Sequence, residues 1–186
     1  MQNKGFSTYQ TLNSSIPGHR NIPKRVNDYE IPLYLKPDTT ILDIGCNRGY
    51  FGIYLSNKIQ EYTGIDHDIN ELTRGNEEIK KQNITNVQLI HGDFETLPLN
   101  KSFSFIFSFA VHVYIKLTMH EYATRLSNIL KPNGYIFLEG HPKTYEGEPA
   151  KLHELYEELK SLGFKTVKEK IVIDRGMERE FTIWNK

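Results

Sequence analysis

The sequence predicts an α/β domain with a mostly parallel sheet, closed by an antiparallel hairpin. Three observations carry this reading. Short apolar runs alternate with longer segments at helical spacing along most of the 186 residues, the pattern of a layered α/β structure. The first run, Ile41-Leu42-Asp43-Ile44, leads into Gly45 and Gly49, after which Tyr50, Phe51, Ile53, Tyr54 and Leu55 resume at roughly helical spacing. Two strand-like runs, Phe164 to Ile173 and Glu178 to Trp184, flank Asp174-Arg175-Gly176, a hairpin turn sequence.

The apolar run at Ile41 is too short for a helix and suits a strand covered on both faces. A strand ending in a glycine turn that opens a helix is a nucleotide-site geometry. The turn lets backbone approach a ligand, and the helix N-terminus offers unpaired N–H groups. Length predicts one domain with a sizeable core. Lys plus Arg and Asp plus Glu are equal at 23 each, so no global field recruits nucleic acid or an anionic membrane. Cys46 is the only cysteine, so an intrachain disulfide is excluded and nothing demands an oxidising compartment. The N-terminus lacks the apolar core of a signal peptide, and no window approaches the roughly 20 apolar residues of a membrane span. A cytoplasmic protein is expected.

Residues 1–24 show no clear periodicity and carry Gly5, Pro17-Gly18 and Pro23; they read as a flexible arm or a lid, ahead of a single domain over residues 25–186. His19, Arg20, Lys24 and Arg25 form a small basic cluster, either a solvated face or a contact for an anionic substrate. Val26 to Ile31 reads as a short helical turn, limited by Pro32 and Pro37. After the glycine turn, Glu61 to Asp66 reads as a second strand ending in an acid. An acid about 20 residues past such a turn suits the two ribose hydroxyls of an adenosine. A turn or helix cap is its alternative role.

Glu71 to Gln82 reads as a polar helix weakened by Gly75. Val87 to His91 is the third strand, with Gly92-Asp93-Phe94 at its end, and Phe103 to Ala110 is the fourth. Val111-His112-Val113-Tyr114 follows at the place where an active site would lie. A helix from about Thr118 carries Tyr122, Leu126 and Leu130 on one side and stops at Lys131-Pro132-Asn133-Gly134. Tyr135 to Glu139 is the fifth strand, followed by Gly140-His141-Pro142. The last helix carries Leu152, Leu155, Tyr156, Leu159 and Leu162 and ends at Gly163.

On these residues the chain resembles the class I S-adenosylmethionine-dependent methyltransferases, over residues about 40–184. The carriers are Leu42 to Gly49, Gly64-Ile65-Asp66, Gly92-Asp93-Phe94, Phe103 to Ser108 and Leu130 to Tyr135. The resemblance implies a Rossmann-like, doubly wound, seven-stranded sheet with the last strand inserted antiparallel. It implies that Gly45, Cys46, Asn47 and Gly49 lie along the methionine part of S-adenosyl-L-methionine, with Asp43 ordering the loop. Asp66 would hold the ribose, His67 would flank the adenine, Asp93 and Phe94 would contact the base, and Ser108 would sit near the methionine end. Two positions depart from the family pattern. Asn47 stands where the loop has a middle glycine, though Asn tolerates the left-handed region. Ser104 stands where the fourth strand often has an acid.

The sulfonium is already an activated methyl donor, so the protein must align the nucleophile and remove a proton if that nucleophile is a hydroxyl. His112 is the candidate base. Glu139 and His141 end the fifth strand on the same rim and join it as catalytic candidates. A carboxylate–imidazole hydrogen bond is favoured over a metal site, and no metal is expected. Arg20 and Tyr114 are candidate substrate contacts, and Tyr145 a candidate pocket wall. Cys46 reads as a small packed residue. The leading expectation is methyl transfer to a small-molecule acceptor, more O- than N-directed. RNA or protein methylation and cofactor binding without turnover are the alternatives. A nicotinamide oxidoreductase is disfavoured because Asn47 breaks the Gly-x-Gly-x-x-Gly fingerprint.

Overall fold

Every residue of the strand Thr40–Ile44 is buried, and its side chains divide by period two between two apolar layers. Leu42 and Ile44 join Leu126, Leu155 and Trp184 in one layer, whereas Ile41 joins Tyr29, Phe51, Leu72 and Phe137 in the other. In this computed structural model, residues 10–12, 20–142 and 144–186 are described. Their elements are β1 (Gln10–Thr11), β2 (Arg20–Asn21), α1 (Ile22–Asp28), β3 (Thr40–Ile44), α2 (Tyr50–Leu55), β4 (Glu61–Asp66) and α3 (Ile69–Lys81). These are followed by β5 (Val87–His91), β6 (Phe103–Phe109), α4 (Met119–Ile129), β7 (Leu130–Glu139), α5 (Ala150–Ser161), β8 (Lys165–Asp174) and β9 (Met177–Asn185).

The main sheet has seven strands in the order β5-β4-β3-β6-β7-β9-β8. Strands β3 to β7 pair in parallel, and β9 runs antiparallel between β7 and β8. This is the doubly wound topology that the resemblance implied. The strand order reverses at β3, so the carboxyl ends of β3, β4 and β6 open onto a crevice. The hairpin turns through Arg175 at φ 55° and Gly176 at φ 77°, the two left-handed residues of a tight turn matched to strand twist.

Local chemistry sets the helix ends. Thr118 and Glu121 form a reciprocal capping box at the start of α4. After α5, Phe164 N–H donates to Leu159 O at 3.0 Å and Gly163 N–H to Lys160 O at 3.0 Å. Gly163 has φ 88°, so this is the paired closure that a left-handed glycine permits. Two elements differ from expectation. Helix α1 begins at Ile22, ahead of the expected turn at Val26 and of the boundary at residue 25, because Asn21 accepts from Lys24 N–H and Pro23 fits the first helical turn. Strand β7 begins at Leu130, which pairs with Phe103; a register shift then carries the chain to Tyr135 opposite Phe105. The lid expected over residues 1–24 lies largely outside the described residues, as does His19.

Gly75 has a packing reason that propensity conceals. A Cβ there would stand 2.4 Å from the Arg48 carbonyl oxygen and 2.7 Å from Leu89 Cδ1. Gly75→Ala would gain about 1 kcal/mol of helix propensity. The overlap with backbone outweighs that gain, and a net loss of about 1–3 kcal/mol is expected. Urea unfolding of the variant checks it; a stabilised variant would contradict the contact.

Candidate active site

The loop from Gly45 to Gly49 is fixed from below. Gly45 N–H and Cys46 N–H both donate to Ile65 O, at 2.9 and 3.0 Å, and Gly49 N–H donates to Cys46 O at 2.9 Å. Gly45, Asn47 and Gly49 have φ values of 70°, 56° and 66°. Asn47 therefore does adopt the left-handed conformation that a middle glycine would supply. A Cβ on Gly45 would lie 2.3 Å from Val111 Cγ1, so the segment after β6 closes directly over the loop. Gly64 leaves room for the Cys46 sulfur, which would be 2.6 Å from a Cβ there. Burial pushes the Cys46 thiol pKa well up, with Asp43 and Asp66 adding to the rise. It is a packed, protonated side chain. Arg48 Nε donates to Glu71 Oε2 at 2.8 Å and ties the loop to α3.

Asp66 ends β4 and serves the loop directly. Its Oδ2 accepts from Asn47 N–H at 2.7 Å and its Oδ1 from Asp68 N–H at 2.9 Å. A carboxylate has about four acceptor sites, so both oxygens retain capacity for hydroxyl donors. Asp43 sits deeper. It accepts from the Tyr62 hydroxyl at 2.5 Å, and the Tyr62 ring fills the space beside Gly52 at the start of α2. Asp43 thus steadies the helix side of the turn, while Ile65 O and Asp66 hold the loop backbone. Burial raises the Asp43 pKa to about 7, against the lowering effect of the Tyr62 hydrogen bond. Asn47 Oδ1 is buried without a hydrogen-bond partner. An orphan acceptor in a glycine cradle fits a ligand bearing donor groups, such as an amino acid.

The other adenosine candidates divide. The His67 side chain is 83% exposed beside Asp66, and Asp93 is half-exposed, 3.8 Å from Lys116 Nζ. His67 directly follows the carboxyl end of β4, and Asp93 lies just past that of β5. The Phe94 ring is buried, edge-on to Tyr122 and beneath the Arg125 guanidinium, so only its backbone remains for a base. Ser108 Oγ is buried and hydrogen-bonded to the Tyr122 hydroxyl at 3.0 Å.

The rim after β6 and β7 corrects the expected catalytic grouping. His112 and His141 do come together, with ring centroids 5.8 Å apart. Their carboxylate is Glu148, not Glu139. His112 Nε2 lies against Glu148 Oε1, His141 Nδ1 lies 3.5 Å from the same oxygen, and His141 N–H donates to it at 2.9 Å. Burial would raise the Glu148 pKa, but the two histidines outweigh it and hold the value at about 2. Sequence spacing hid Glu148 because it stands in an irregular segment with no strand or helix period to place it.

Glu139 is fully buried on the opposite side of β7. Its oxygens are taken by Arg20 and by Arg25 Nη2, the latter at 2.7 Å, with Arg179 Nε at 3.8 Å. Burial opposes ionisation, yet the three arginines hold the Glu139 pKa at about 2. Arg20 also pairs with Asp174 Oδ2 at 2.5 Å. Its guanidinium is therefore a buried structural cation, which corrects the expectation of a substrate contact. Tyr114 is exposed at the mouth of an open groove of about 520 Å³ that Val113, Tyr145, Gly147 and Lys151 also line. The Tyr114 and Tyr145 hydroxyls are hydrogen-bonded to each other.

Comparison with known proteins agrees with this geometry. A family described as "Methyltransferase domain" matches residues 41–134, half of the chain. A demethylmenaquinone methyltransferase of Listeria welshimeri is 28% identical over 103 residues, covering 53% of this chain and 43% of that protein. The chain therefore matches less than half the length of that relative. A solved S-adenosylmethionine-dependent methyltransferase from Clostridium acetobutylicum superposes with a TM-score of 0.71 at 16% identity, covering 87% of this chain and 91% of that one. The N-methyltransferase NodS of Bradyrhizobium japonicum, solved with S-adenosyl-L-homocysteine, gives 0.71 at 15% identity, covering 88% and 86%. Among the described residues no helix is long and apolar enough to cross a membrane. The glycine cradle under Val111, the acid that pins it and the inserted antiparallel strand thus have one common account: the chain belongs to the methyltransferase-domain family, in its class I, S-adenosylmethionine-dependent form.

Proposed function

We propose that the protein transfers the sulfonium methyl group of S-adenosyl-L-methionine to a hydroxyl of a small-molecule acceptor. The observation that carries this reading is the loop lock, in which Asp66 holds Asn47 N–H at 2.7 Å and presents its remaining acceptor sites to the crevice. Gly45, Cys46, Asn47 and Gly49 flank the methionine part, Asp66 takes the ribose, and His67, Asp93 and the Phe94 backbone border the adenine. The acceptor enters by the Tyr114–Tyr145 groove, whose volume suits a small molecule. The small-molecule activity named for the Listeria relative supports that class.

The chemistry is an in-line displacement. The acceptor oxygen attacks the methyl carbon, the O–C bond forms as the S–C bond breaks, and S-adenosyl-L-homocysteine leaves. The hydroxyl proton departs at the rim formed by His112, His141 and Glu148. Glu139 takes no part, because its charge is already balanced by arginines.

Calorimetry with S-adenosyl-L-methionine tests the reading. Micromolar binding is expected for the wild type. Asp66→Ala should weaken it by about 100-fold, equivalent to about 2.7 kcal/mol, since it removes both the ribose acceptor and the loop lock. A folded wild-type protein that does not bind would refute the assignment. Binding without transfer to any of a broad hydroxyl panel would mark a non-catalytic binder.

A further inference from the structure

The rim group has an unusual internal geometry. His112 is 1% exposed, and its Nε2 and His141 Nδ1 both fall within ion-pair range of one oxygen, Glu148 Oε1. Neither nitrogen completes a hydrogen bond. Buried imidazole nitrogens normally find an aligned partner. Both instead converge on one carboxylate oxygen. Among the described residues, no other three His, Cys, Asp or Glu side chains converge in this way.

We propose that His112 Nε2, His141 Nδ1 and Glu148 form a binding site for a divalent first-row transition-metal ion. The three donor atoms lie within 4.8 Å of one another. Ligands on a tetrahedral ion with bonds of 2.0–2.2 Å stand roughly 3.3 Å apart. The His141–Glu148 separation of 3.5 Å already matches, whereas the shorter His112–Glu148 contact must open to admit an ion. Two imidazoles and one carboxylate suit zinc, cobalt or ferrous iron better than magnesium or calcium, which prefer all-oxygen sets.

The surroundings support the donors. Glu148 is oriented by the His141 backbone N–H at 2.9 Å. The His141 ring stacks on Tyr145 at 4.2 Å and meets Tyr114 edge-on at 5.5 Å. His112 opens the 3-10 turn His112–Tyr114, two residues after Ala110, whose φ is 58°. Three protein ligands leave a fourth position for water or an acceptor oxygen. Resting on the methyl-transfer reading, that position would bind the acceptor hydroxyl, which would release its proton to water more readily when coordinated. The binding site itself stands on the donor geometry alone.

The test uses the full chain without a histidine tag, stripped with chelator and titrated with Co²⁺. Wild type should bind one ion and develop the visible absorption of a low-coordinate cobalt centre, which Zn²⁺ should bleach. His141→Ala and Glu148→Gln should each weaken binding by about 100-fold while keeping native circular dichroism. S-adenosyl-L-methionine affinity, measured on the same samples, reports separately on the methyl-transfer reading. Absence of a cobalt spectrum in folded wild type, or equal affinity in the folded variants, would overturn the site. His112→Gln serves as a third ligand variant if either of the others fails to fold.

Discussion

Glu139→Gln is expected to destabilise the protein by about 3–5 kcal/mol, because it leaves buried arginine charge without its counter-ion. Arg20 and Arg25 are 1% and 3% exposed, so water does not replace the lost carboxylate. The sign of the pH effect follows from the same contacts. The Glu139 pKa is held at about 2 in the folded chain, below its ordinary value of 4.5. Its stabilisation is therefore fully present above pH 4.5 and is lost as pH falls towards 2. Glu148, also held at about 2, follows the same course. Guanidinium unfolding at pH 7 should show the large loss, and Glu139→Gln should flatten the acid limb without abolishing it. A variant as stable as wild type at pH 7 would mean that the cluster draws little from its carboxylate.

Asp43 should act in the opposite direction. Burial lifts its pKa from 3.8 to about 7, so the folded chain retains a proton that the unfolded chain releases between those values. Stability is greatest below pH 3.8 for this group, falls as pH rises through the window and is level above about 7. The full span corresponds to at most about 4 kcal/mol. Asp43→Asn keeps an acceptor for the Tyr62 hydroxyl and removes the titration. Without cofactor, the variant should therefore be the more stable protein at pH 8 and nearly equal to wild type at pH 4. Thermal unfolding at the two pH values decides it; parallel profiles would show that Asp43 does not titrate in this range.

Much of the fold was legible because its signals are local and periodic. The run Glu61 to Asp66 and the run Val87 to His91 coincide with β4 and β5, and the turn at Arg175-Gly176 lies where its φ requirement placed it. The glycine loop was equally readable, since Gly45 and Gly49 occupy conformations that few residues accept. Side-chain partnership was less legible. Glu139 and His141 are near neighbours in sequence but face different environments, because alternation along β7 sends Glu139 to the arginines and the chain then leaves the strand before His141. Glu148 carries no pattern of its own, and the helical period of Tyr122 marks it only as a core position; the tertiary fold alone brings them to His112 and Ser108. The resemblance put Phe94 beside the base, whereas its ring packs under the guanidinium of Arg125 and against Tyr122.

The arginine cluster also has a meaning for the order in which the chain is made. Arg20 and Arg25 leave the ribosome early, yet Arg20 meets Glu139 across a separation of 119 residues and then meets Asp174 at the far hairpin. Arg20 and Arg25 cannot meet Glu139 until β7 has been synthesised, and Arg20 cannot meet Asp174 until β8 has followed. Contacts of such high sequence separation form late because loop-closure entropy opposes them. The β3–β6 half of the sheet can assemble while translation continues, whereas the segment ahead of β3 waits for Glu139 on β7. Chains cut short before β7 would carry both arginines at their leading end without Glu139, whereas chains cut short before β8 would lack Asp174 but keep Glu139.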